Sequence, residues 1–113
     1  MNSGDIFLLE FRATDFAAKK QRPVLLLQQL PGRFGDWLVC MISSQQHQQI
    51  PNFDELIAEQ DRDFSQSGLH RPSVIRIARV AVVETGLLSR RIGRISKSRL
   101  ARIKKRLARW IAR

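Results

Sequence analysis

The sequence holds a single cysteine, Cys40, so no internal disulfide is open to it. That thiol lies in the apolar run Trp37-Leu38-Val39-Cys40-Met41-Ile42, where a buried, inert cysteine in a reducing compartment is expected. No stretch near the N-terminus joins a basic segment to an apolar core, so no signal peptide is predicted. No apolar run approaches the roughly 20 residues that span a bilayer. A cytoplasmic protein without membrane association is expected. Zinc-ligand spacing, a phosphate-binding glycine loop, a dinucleotide fingerprint and Gly-x-Ser-x-Gly are all missing, so neither a metal nor a cofactor is predicted. Asp61-Arg62-Asp63 is a close carboxylate pair that lacks the supporting cluster of a metal nuclease. The two histidines, His47 and His70, sit in separate loop-like segments that nothing in the sequence brings together, which argues against a paired imidazole site.

Acidic residues also stop at Glu84, while eleven basic residues follow it. Residues 1–84 are nearly neutral, with nine basic and ten acidic side chains, so the net charge of +10 belongs to the C-terminal segment. Such an excess favours polyanions: RNA, DNA, an anionic membrane or an acidic partner protein. At 113 residues the chain has room for one domain with a real core.

Several short apolar segments separated by turns predict a small β-barrel. The first follows the Gly4-Asp5 turn as Ile6–Phe11, and residues 12–21 are a polar loop. Arg22-Pro23 opens a second strand, Val24-Leu25-Leu26-Leu27, with proline allowed at a strand start. Leu30–Asp36 is a turn cluster and Trp37–Ser43 a third strand. Ser44–Ile50 reads as a strand end and loop, and Asn52–Ile57 as one helical turn. Ser73–Val83 is β-rich, with a bulge. The period then changes: Leu100, Ile103, Leu107 and Trp110 or Ile111 form one apolar stripe on a helix capped by Ser96. Packing of that stripe on the barrel leaves the basic residues facing outward. Lys97 and Arg99 fall in the first turn, where the helix dipole disfavours cations, so their charge is expected to serve something else.

Five segments in order resemble the PemK/MazF-like toxin family. They are Gly4–Phe11, Arg22-Pro23-Val24-Leu25-Leu26-Leu27, Trp37–Ser44, Gly68-Leu69-His70-Arg71-Pro72-Ser73-Val74-Ile75-Arg76, and Arg91-Ile92-Gly93-Arg94-Ile95-Ser96. The resemblance implies a mainly β fold with α, a small SH3-like barrel of the MazF/PemK/CcdB type with a C-terminal amphipathic helix. One domain over 1–113 is expected, with the barrel at about 4–84 and the basic helix at about 96–112. It further implies the toxin of a type II toxin–antitoxin system: a homodimeric, metal-independent endoribonuclease that cleaves single-stranded RNA by 2′-hydroxyl attack. A cognate antitoxin would inhibit it by laying an acidic segment in the RNA groove. By residue match, the catalytic pair is Arg22 and Ser43, with Ser44 as a possible support. Arg12, Lys19, Lys20 and Gln45 are the candidates for nucleic-acid contact. Ser43 stands where the family commonly has threonine, keeping the hydroxyl and losing a methyl. The rival reading is a non-catalytic protein on the same fold that binds nucleic acid or a topoisomerase, since fold alone does not fix function.

Overall fold

The computed structural model describes residues 1–11 and 20–113. Its strands are β1 (Asp5–Phe11), β2 (Lys20–Gln29), β3 (Trp37–Ser43), β4 (Glu55–Ile57), β5 (Ser73–Val83) and β6 (Leu88–Arg94). They form one antiparallel sheet in the order β4-β5-β3-β2-β1-β6. A four-residue helix, α1 (Phe64–Ser67), and the C-terminal helix α2 (Lys97–Ile111) complete it, with 3-10 turns at Gln46–Gln48 and Thr85–Leu87.

β2 explains why a continuous apolar run can be a strand. It lies between β1 and β3, and Val24, Leu25, Leu26 and Leu27 are all buried. Alternate residues point to opposite faces, and both faces are covered. Leu25 and Leu27 join Ile6, Cys40, Ile42, Ile75 and Ile77 beneath Ile103 and Leu107 of α2. Val24 and Leu26 join Phe7, Leu9, Trp37, Val39, Val83 and Leu88 on the other side. Burial first, and then the Asp54 charge, pushes the Cys40 thiol up to about 12, so it is the inert cysteine expected.

The predicted mainly β fold with a C-terminal helix is present, but the sheet is not closed. β4 and β6 are its edges, and no ladder joins them. Instead α1 packs against β6 at contact distance. A Cβ added at Gly93 would strike the backbone of Gln66 and Ser67, and one at Gly68 would strike that of Ile92. Gly68 also takes φ +75°, a conformation that favours glycine.

Several local expectations are corrected. β2 begins at Lys20, inside the segment read as loop, and Pro23 is its fourth residue. Proline is tolerated there because the β3 ladder begins only at Val24↔Met41, so Pro23 is paired to β1 alone. Asn52–Ile57 is not a helical turn: Asn52 takes φ 62° and Glu55–Ile57 pair with β5. β6 lies outside the strands expected from the sequence, because Leu88-Ser89-Arg90-Arg91 shows no clean alternation. The expected bulge in β5 is large. Opposite Cys40 and Met41 the register jumps from Val80 to Arg76, and the freed amide of Ile77 donates to the buried Asp54 carboxylate at 3.0 Å.

Helix α2 starts where predicted, with Ser96 Oγ accepting the Arg99 amide at 3.2 Å. Ile103 and Leu107 are buried, whereas Ile111 is 65% exposed, so the stripe ends before the last turn. Trp110 rests edge-on against Phe53, ring centroids 6.1 Å apart. The basic residues do not all face outward. Arg99 is buried among Glu55, Asp61 and Asp63, and Arg102 and Arg106 also reach Glu55. Asp61 and Asp63 therefore form a socket for a helix guanidinium. Among the described residues no helix is long and apolar enough to cross a membrane.

Candidate nucleic-acid-cleaving cleft

β2 and β3 part company below Val24 and Met41, since no ladder pairs Lys20–Pro23 with Ser43. Ser43 pairs instead with Val74 of β5. This divergence opens a cleft of about 790 Å³. Its walls come from the start of β2, the end of β3, the segment Gly68–Ser73 and the β6 residues Arg90–Ile92.

Arg22, Ser43, Ser44 and Lys20 all line this cleft. Arg22 stands opposite Leu9 in the β1 ladder and is exposed, its guanidinium carbon 5.7 Å from the Phe11 ring centroid. That stacking steadies a long side chain without occupying its donors. Ser43 is half-buried, and its Oγ accepts the Gln45 amide at 3.1 Å. The bond fixes the hydroxyl at the strand end and leaves its own proton free to donate. Gln45 is not part of the lining; its side chain accepts from Gln48 Nε2 at 3.3 Å. Arg12 and Lys19 lie outside the described residues.

The cleft also holds residues that the sequence reading did not select. Arg71, Arg90 and Arg91 add to the positive lining, His70 contributes an imidazole, and among the described residues no Asp or Glu joins it. Arg91 is partly engaged elsewhere, with Nε 3.2 Å from the buried Asp5 carboxylate. By sequence Arg90 and Arg91 belong to the basic tail, with Arg91 also opening the segment that leads into the terminal helix, and nothing local shows that β6 returns beside β1. Among the described residues no cluster of three or more His, Cys, Asp or Glu side chains could hold a metal ion. A concave surface of cations and hydroxyls without a described carboxylate suits a phosphodiester: guanidinium forks pair with non-bridging oxygens, and hydroxyls donate to them.

The residues that lead into α1 are held by helix α2. Arg99 places Nε 2.8 Å from Asp63 Oδ2, Nη2 3.0 Å from Asp61 Oδ2 and Nη1 3.1 Å from Glu55 Oε1. Burial alone would raise the Asp63 carboxyl. Hydrogen bonds from Arg99 and from the Ser96 amide, with the Arg99 charge, hold it below its ordinary value. Burial likewise opposes the Arg99 charge, yet Asp63 above all, then Glu55 and Asp61, leave its pKa raised.

Compared with protein families, residues 2–111 match the one described as PemK-like, MazF-like toxin of type II toxin-antitoxin system. No curated protein matched the chain.

Proposed function

The chain belongs to the PemK-like, MazF-like toxin family, and from that premise we propose that it is a metal-independent endoribonuclease acting on single-stranded RNA in this cleft. The observation that carries the reading is that Arg22 and Ser43, on different strands, line one cavity whose described lining has no carboxylate. The ribose 2′-oxygen attacks the adjacent phosphorus, the bond to the 5′-oxygen breaks, and the products end in a 2′,3′-cyclic phosphate and a 5′-hydroxyl. Arg22 binds the non-bridging oxygens as their charge grows. Guanidinium is a poor base, so its role is electrostatic. Ser43 donates its hydroxyl proton to the same phosphate.

The positive lining is also the natural seat for an acidic antitoxin segment, which would inhibit by occupying the RNA groove. Type II toxin–antitoxin membership implies that partner. The working unit is taken to be a homodimer, in the cytoplasm, with no cofactor.

The test is incubation of the purified protein with mixed single-stranded RNA in EDTA, followed by mapping of the cut ends. Cleavage with 5′-hydroxyl products is expected. RNA that is bound but never cut would indicate a non-catalytic binder on this fold. Cutting that requires magnesium would contradict the metal-free mechanism.

A further inference from the structure

Resting on the endoribonuclease reading, we propose that His70 is the general base of the cleavage. Its imidazole accepts the 2′-hydroxyl proton as the O2′–P bond forms and the P–O5′ bond breaks. Water in the open cleft protonates the departing 5′-oxygen, and the imidazolium then returns its proton to solvent. No other co-reactant is needed.

The chemistry of the lining selects this residue. Attack by a hydroxyl needs a proton acceptor, and the cations facing the cleft cannot serve: Lys20 and Arg22 from β2, Arg90 and Arg91 from β6, and Arg71 beside His70. Serine hydroxyls are too weak as bases, and no described carboxylate is present. An imidazole accepts a proton readily near neutral pH.

The placement of His70 is built rather than incidental. Gly68 lies against Ile92, and Ser67 Oγ accepts the Leu69 amide at 3.2 Å. On the other side, Ser73 Oγ donates to the Arg71 carbonyl at 2.9 Å. The backbone is thus held on both sides of His70, while its side chain is exposed in the cleft and makes no hydrogen bond to any described residue. Both ring nitrogens remain open to substrate. His47, the other histidine, lies outside the lining.

Single-turnover cleavage at saturating RNA tests the assignment, using substrates with oxygen or sulfur at the bridging 5′ position. His70→Gln should slow both substrates by about 10²–10⁴-fold, the usual scale for losing acid–base catalysis. RNA affinity should be unchanged, and the pH–rate profile should lose one inflection. Added imidazole should restore part of the rate to His70→Ala but not to the parent. A rate within about threefold of the parent would overturn the assignment, as would a loss confined to affinity. So would a defect that the sulfur leaving group cancels, which would make His70 the acid. A parent protein that leaves RNA intact removes the endoribonuclease reading and this assignment together.

Discussion

Arg99 grips Asp63 with one edge of its guanidinium, Nε 2.8 Å from Oδ2 and Nη2 3.0 Å from Oδ1. Both residues are buried, so this pair is the hinge pin between helix α2 and the segment that leads to α1 and the cleft. Breaking it leaves carboxylates in a place from which water is largely excluded. Arg99→Met should therefore cost about 3–5 kcal/mol of stability, and Arg99→Lys should recover little because an ammonium cannot reproduce the fork. Urea unfolding of both variants measures this.

The same contact sets an acid sensitivity. The Asp63 carboxyl is held below its ordinary value of 3.8 in the folded protein. A lowered folded pKa contributes stability that is present above the unfolded value and is lost as pH falls through the folded one. Stability should therefore decline below about pH 4, with Asp63 contributing. Asp63→Asn should be less stable at neutral pH and show a shallower acid decline. A decline as steep as the parent's would remove Asp63 as a contributor.

Much of this molecule is legible in its residues, and the exceptions have physical reasons. The Val24–Leu27 run, the Ser96 cap and the Ile103–Leu107 stripe depend on local pattern, and each is where the pattern puts it. The Arg99 socket depends on Asp61 and Asp63 meeting a residue 36 or more positions away, which no local period encodes. Its one trace was a cation in the first helical turn, where the dipole disfavours it. The cleft divides the same way. Arg22 and Ser43 carry motif signals that point to a role, whereas His70 lies in a resembling segment without one, and Arg90 reaches the cleft only through the return of β6 beside β1.

Arg22→Ala should reduce RNA cleavage by about 10²–10³-fold, the scale for losing one transition-state donor. The side chain is exposed and its ring contact with Phe11 is worth roughly 0.5–1 kcal/mol, so folding should be nearly unchanged. Cleavage rates beside an unfolding curve separate the two. Undiminished cutting would remove Arg22 from the mechanism.

Ser43→Ala should lower the single-turnover rate with little change in RNA affinity, because its contact matters chiefly as charge develops on the phosphate. Ser43→Thr keeps both the hydroxyl and the acceptor for the Gln45 amide, so most activity should survive. Ser44→Ala is the control, since Ser44 also lines the cleft. If Ser44→Ala lost the rate while Ser43→Ala kept it, Ser44 would be the working hydroxyl.

The basic tail should act through binding rather than chemistry, and the structure says which of its residues to change. Arg102 and Arg106 reach Glu55 at 2.9 and 2.8 Å, so neutralising them perturbs the helix socket as well as the surface charge. Lys105 and Arg109 are exposed and make no ion pair with a described carboxylate. Exchanging both for glutamine should leave the unfolding midpoint nearly unchanged. RNA affinity should fall, and the slope of log affinity against log salt should become shallower by at most about 1.4, the share of two phosphate contacts on a single strand. The rate constant at saturating RNA should not move, because neither residue lines the cleft. Binding isotherms and single-turnover rates at two salt concentrations decide the matter. A double variant that bound RNA normally but cut slowly would place the chemistry on the helix and not at Arg22 and Ser43.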